Sequence, residues 1–91
     1  MTVVRIPPTL RAETDGEREV AARGRTLREV LDDVADRFPA LGNRILAGDE
    51  LAPFVNIYVE GEDVRTLRGL ETPVEEGSTV ILLPAMAGGA L

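Results

Sequence analysis

An α+β domain of two layers is the fold class this sequence predicts, and three observations lead to it. Thr26 and Glu29 open a run of apolar residues at helical spacing, Leu27, Val30, Leu31, Val34, Ala35 and Phe38. Strand-like segments lie on both sides of that run: Thr2–Ile6 and Arg18–Ala22 before it, Phe54–Val59, Val64-Arg65 and Thr79–Leu83 after it. Turn residues separate these segments, with no internal repeat, linker or low-complexity stretch among them. A helix with one apolar stripe needs a sheet to bury it, so the helix is expected across one face of a mixed sheet of four to five strands.

Each element has a local reason. In Thr2–Ile6, Val4 and Ile6 face inward and Arg5 outward, and Pro7-Pro8 ends the strand. Thr14-Asp15-Gly16 signals a turn into a second strand centred on Val20, while the intervening Pro7–Arg11 is long for a tight hairpin. Thr26 and Glu29 form a capping box, and Pro39 stops the helix after Phe38. Leu41, Ile45 and Leu46 predict a short helical turn over one end of the core, followed by loop over Gly48–Pro53. Phe54–Val59 is a strong strand with Val55, Ile57 and Val59 on one face and Phe54, Asn56 and Tyr58 on the other. Glu60–Asp63 is read as the turn into a short strand at Val64-Arg65. Leu67–Val74 is irregular, with Pro73 and Val74 closing the core, and Glu75–Ser78 turns into the last strand. Joining the first and last strands side by side and parallel at the centre makes this a β-grasp domain over residues 1–84. The C-terminus then leaves from a central strand.

Composition excludes more than it assigns. A chain of 91 residues with 44% hydrophobic and 29% charged residues fits one small folded domain. A formal charge of −6 argues against a nucleic-acid partner, which needs clustered Lys and Arg. No apolar stretch approaches membrane-spanning length and Met1–Arg5 is no signal peptide, so a cytoplasmic location is expected. With no Cys and no His, there is no thiol nucleophile, imidazole base or soft-metal site. The single serine, Ser78, has no base to activate it, and all ten basic residues are Arg. Self-contained catalysis and a bound cofactor are therefore not expected. Asp32, Asp33 and Asp36 are read as a solvated helix face and given no metal.

The other singular stretch is the end, Val80–Leu91, VILLPAMAGGAL. Pro84 lacks an amide proton and is expected to release the chain from the sheet. Residues 85–91 then form a flexible tail, and Ala85–Gly89 extended at about 3.3 Å per residue spans roughly 16 Å. Gly88 and Gly89 have no Cβ and fit a channel too narrow for other residues. The plainer reading of such a tail is a frayed terminus.

Several patterns together resemble a known family. They are Phe54-Val55-Asn56-Ile57-Tyr58-Val59, the acidic Gly turn ending in Asp63-Val64-Arg65, Leu70-Glu71-Thr72-Pro73-Val74, Glu76-Gly77, and Leu83-Pro84-Ala85-Met86-Ala87-Gly88-Gly89. This set resembles the MoaD/ThiS group of ubiquitin-like sulfur carriers, most of all its CysO-type branch used in bacterial cysteine synthesis. The resemblance implies a protein co-substrate and no enzyme. An E1-like adenylating enzyme would use ATP to activate the Gly89 carboxylate, with Gly88 and Ala87 giving access. A sulfurtransferase or sulfide source would convert the adenylate to a thiocarboxylate, and a separate synthase would accept the sulfur. Here the chain departs from the family pattern, because Ala90-Leu91 follow Gly89. The resemblance implies a processing site between Gly89 and Ala90 for a JAMM-type zinc metallopeptidase. Partner binding is expected on the sheet face away from the helix, through Arg5, Phe54, Tyr58, Ile81 and Leu83; the bland alternative packs some of these against Pro7–Arg11. Two further roles fit the same tail: the small, MoaD-like subunit of molybdopterin synthase, and a ubiquitin-like modifier conjugated through Gly89. A β-grasp interaction module with an idle tail is the third class.

Overall fold

In a computed structural model that describes residues 1–84, β1 (Thr2–Arg5) pairs antiparallel with β2 (Glu19–Ala22), Val4 opposite Val20. Val4 and Ile6 are buried and Arg5 is exposed, as the alternation predicts. The segment between them is a 3-10 helix over Pro8–Thr14. Proline suits its first position because no amide partner is needed there. Asp15 (φ 55°) and Gly16 (φ 85°) then turn the chain back in the left-handed region.

α1 (Leu27–Arg37) starts where the capping residues place it: the Glu29 amide donates to the Thr26 hydroxyl at 3.3 Å. The reciprocal bond is shifted, since the Glu29 carboxylate accepts from the Arg25 amide at 2.8 Å and not from Thr26. Thr26 lies in a short bridge opposite Pro73, flanked by bonds from Leu27 N to Thr72 O (2.9 Å) and from Val74 N to Arg25 O (2.9 Å). That bridge staples the helix start to the 72–74 segment. Leu27, Val30, Leu31 and Val34 are fully buried beneath the sheet, each stabilising the fold by about 1.5–3 kcal/mol.

Pro39 ends α1 and also begins α2 (Pro39–Ile45), so Phe38 is the C-cap of one helix and the N-cap of the next. The expected helical turn is a helix that starts at Pro39, with Leu41 and Ile45 fully buried, and it stops at Ile45, before Leu46. At the α1–α2 contact, a Cβ placed on Gly42 would stand 2.6 Å from the Ala35 Cβ. Both are backbone-anchored atoms, so the helices would have to separate. We expect Gly42→Ala to destabilise the fold by about 1–3 kcal/mol, seen as a lower denaturant midpoint; an unchanged midpoint would show that the two helices part freely.

Three expectations need correction. The stretch read as loop, Gly48–Pro53, contains β4 (Glu50–Leu51), which turns at Gly48 (φ 66°) to pair with β3 (Leu46–Ala47), so Leu46 is in a strand and not in the helical turn. Strands that short show no periodicity. After β5 (Val55–Val59), the short strand β6 is Glu62–Asp63 and not Val64-Arg65. The Asp63 carboxylate accepts from the Arg65 amide at 2.9 Å and turns the chain into a 3-10 helix, Val64–Thr66, that buries Val64. Pro73 is exposed, and Leu70 with Val74 closes the core instead.

β7 (Thr79–Pro84) completes a five-stranded sheet in the order β2-β1-β7-β5-β6. It runs parallel to β1 (Val4 opposite Val80) and antiparallel to β5 (Ile57 opposite Leu82). Pro84 does not release the chain early, because it still pairs with Val55. A proline at the end of a strand forfeits one donor, but its φ suits an extended chain and its carbonyl remains. This is the β-grasp arrangement, with α1 across one face and the parallel pair at the centre.

Candidate partner-binding face

Alternation along β1, β7 and β5 sends one set of side chains to α1 and the other to the opposite face. Val4, Val80, Leu82, Val55 and Ile57 form the buried set. The pairing register then decides which residues of the other set meet. Arg5 is level with Ile81, and Ile81 with Tyr58, so these three make one row across three strands. Leu83 and Asn56 form the next row toward the strand end. Phe54 precedes β5 by one residue, beside the point where Pro84 pairs with Val55. It is 70% exposed and Leu83 is 43% exposed, a high value for each side chain. Of the five face residues named from the sequence, the register places Arg5, Ile81, Tyr58 and Leu83 on one side of the sheet, while Phe54 lies in the turn before β5, at the end where β7 finishes.

Charge flanks the apolar row. Arg5 pairs with Glu19 of the edge strand at 3.7 Å, an exposed contact that adds little stability and leaves both charges available to a partner. Asp63 stands opposite Tyr58 on the other edge. Next to the face runs an open groove of about 770 Å³, with Pro7, Pro8 and Arg11 on one wall and Ile81 and Leu83 on the other. The Arg11 Nε donates to the Ile6 carbonyl at 3.1 Å, which holds that wall against β1. Ile81 is partly buried in this setting, while Leu83 is exposed.

The acids of α1 hold local structure. Asp33 accepts the Arg23 amide at 2.8 Å and pairs with Arg37 at 3.5 Å, and Asp32 pairs with Arg28 at 3.8 Å. Among the described residues no three His, Cys, Asp or Glu side chains are grouped to hold a metal ion, and no helix is long and apolar enough to cross a membrane. Ala87, Gly88, Gly89 and Ala90, the access, reaction and processing positions expected from the sequence, lie outside the described residues.

The sequence placed Asn56 on this face without giving it a role, and it read Arg65 only as part of a short strand. Asn56 sits in the face between Phe54 and Tyr58, beside Leu83. Arg65 reaches back to the start of β5, where its Nη1 donates to the Val55 carbonyl (2.9 Å) and the Asn56 Oδ1 (3.0 Å) and its Nη2 to the Ala52 carbonyl (2.9 Å). The proximity of Asp63 and Arg65 hints at an Asx turn, but nothing local reveals a contact thirteen residues back.

Comparison with known proteins agrees with this geometry. A family model described as the ThiS family matches residues 4–89. The sulfur carrier protein CysO of Mycobacterium tuberculosis is 42% identical over 89 residues, covering 94% of this chain and 96% of its own. The crystal structure of the Amycolatopsis orientalis BexX/CysO complex contains a chain that superposes with a TM-score of 0.90 at 42% identity, over 93% of this chain and 96% of that one. The solution structure of small archaeal modifier protein 1 from Methanosarcina acetivorans superposes with a TM-score of 0.84 at 32% identity, over 97% and 95% of the two chains. Strand order and a match over residues 4–89 point the same way: the chain belongs to the ThiS family.

Proposed function

We propose that this protein is a sulfur carrier, a co-substrate whose own main-chain end holds the reactive atom. One observation carries the reading beyond the family match: β7 is a central strand, and it delivers Pro84 beside the exposed Phe54 and Leu83, five residues before Gly89. A partner that docks on that face receives the tail in the same act. Holding the reacting carboxylate at a fixed distance from a docked body converts an encounter into a positioned reaction.

In the chemistry, an E1-like adenylating enzyme binds ATP, and a Gly89 carboxylate oxygen attacks its α-phosphorus. Pyrophosphate leaves and an acyl-adenylate remains. Sulfide, or a persulfide followed by reduction with a thiol, attacks the acyl carbon. AMP leaves with the bonding pair, and Gly89 ends as a thiocarboxylate. That anionic, soft sulfur then serves as nucleophile toward an activated substrate on a separate synthase. ATP belongs to the activating enzyme, and this chain supplies the nucleophile and the docking face. While Gly89 is bonded to Ala90 it has no free carboxylate, so hydrolysis of that bond by a JAMM-type metallopeptidase comes first. The family match ends at Gly89, which supports placing the cut there. Cysteine synthesis is the acceptor pathway we favour, on the 42% identity to CysO. The small-subunit role in molybdopterin synthase has no comparable support.

A second use of the same adenylate has support in the 32% identity to an archaeal modifier protein: attack by a lysine amine, giving conjugation through Gly89. Intact mass after incubation of the Gly89-ended protein with the activating enzyme, ATP and sulfide separates the two. Replacement of one oxygen by sulfur is expected. Recovery of the protein only as Gly89-linked adducts of other proteins would favour conjugation, and no mass change would end the carrier reading.

A further inference from the structure

We propose that Arg65 is a positioning residue for partner docking: its guanidinium sets the turn that presents Phe54. This rests on the reading of the sheet face as the docking surface. The turn is Ala52-Pro53-Phe54-Val55, in which Pro53 fixes one central φ and Phe54 occupies the other central place. Its own closing bond, Val55 N to Ala52 O, is long at 3.4 Å. Arg65 supplies what the turn lacks. Its Nη2 donates to the Ala52 carbonyl and its Nη1 to the Val55 carbonyl, both at 2.9 Å, so one rigid fork holds the first and last residues of the turn. The Nη1 also reaches the Asn56 side chain at 3.0 Å, fixing the residue between Phe54 and Tyr58 on the same face.

The fork is itself held. The Asp63 carboxylate accepts the Arg65 amide at 2.9 Å, and the Thr66 hydroxyl donates to the Asp63 carbonyl at 2.7 Å. β6 pairs with β5 only at Tyr58 and Val59, so the first part of β5 has no strand on that side and Arg65 takes its place. A lysine would present one point charge where two diverging donors are used, and cannot span both carbonyls. An aromatic ring that is 70% exposed gets little orientation from packing, which leaves the backbone beneath it to decide where it points.

Arg65→Lys and Arg65→Ala test this in two arms, each variant first shown to keep a folded amide spectrum; if alanine does not fold, lysine carries both arms. In the free protein, ¹⁵N relaxation should show the Phe54 and Asn56 amides falling from an order parameter of about 0.85 toward 0.6 or below, while Ile57 stays rigid. Unchanged order at Phe54 would overturn the proposal. With the Gly89-ended protein and its activating enzyme, KM should rise about tenfold with kcat unchanged, and the same change placed on Phe54→Ala should add nothing. A full additional rise in that background would overturn it too. If Phe54→Ala alone leaves KM unchanged while the turn still loosens in the free Arg65 variants, the clamp stands and the docking face is what falls.

Discussion

A protein ending at Gly89 should release pyrophosphate from ATP beside its activating enzyme, and the same protein carried through to Leu91 should release none. The effect is close to all-or-none because the two forms differ in kind at the reacting atom. A terminal carboxylate offers an anionic oxygen to the α-phosphorus. An internal carbonyl carries no anionic oxygen: its carbon is bonded to the Ala90 nitrogen, whose lone pair is delocalised into the C=O, and no acyl-adenylate forms unless that C–N bond is broken first. Docking does not rescue the longer form, since the face on β5 and β7 is the same in both. Pyrophosphate release and intact mass, read together, check the prediction. Turnover by the intact Leu91 form with its Ala-Leu end still present would place the reactive position elsewhere. Restoration of activity on adding a zinc-dependent peptidase, with loss of two residues by mass, is the expected complement.

The second large effect is expected from Phe54→Arg, with KM for the activating enzyme raised about thirtyfold or more and kcat unchanged. Phe54 is 70% exposed, so its removal takes little from the core, and the denaturation midpoint should move by less than about 0.5 kcal/mol in stability. What is lost is an aromatic anchor at the end of the face, of the type that dominates interface energetics. The arginine also brings a fixed charge beside Arg65 and into contact with any apolar pocket that received the ring. Leu83→Ala should act in the same direction but less, since the residue is smaller and 43% exposed. Unchanged kinetics for Phe54→Arg would remove this face from the docking surface.

The layered fold could be read from local chemistry because each large element carried its own period. The α1 stripe ran at helical spacing and the β5 alternation was unbroken, and both elements appear, except that Phe54, read as the first strand residue, lies in the turn before β5. The parallel pairing of β1 with β7 was reached through topology. Placing the first and last strands side by side was one arrangement of the elements, and the register confirms it with Val4 opposite Val80. The misread parts are those where two or three residues decide the path. A carboxylate on Asp63 ends the strand two residues earlier than the apolar pattern suggests, and the β3–β4 hairpin is too short to alternate. The face was visible as odd-numbered and even-numbered sets on three strands, yet its internal order depends on register, which no single strand contains. Arg65 illustrates the limit. Its own segment was read as a strand, and its partners at Ala52, Val55 and Asn56 are brought to it by the fold of β5 against β6.

Traction on the tail has a defined route into the body. Force applied beyond Pro84 travels along β7, which is laced to β1 on one flank and β5 on the other. Both ladders lie crosswise to that load, so their bonds must yield together in shear, whereas a strand peeled from one end would unzip them in turn. Under the proposed carrier role, an enzyme that pulls on the terminal residues would tug against a domain that holds its shape.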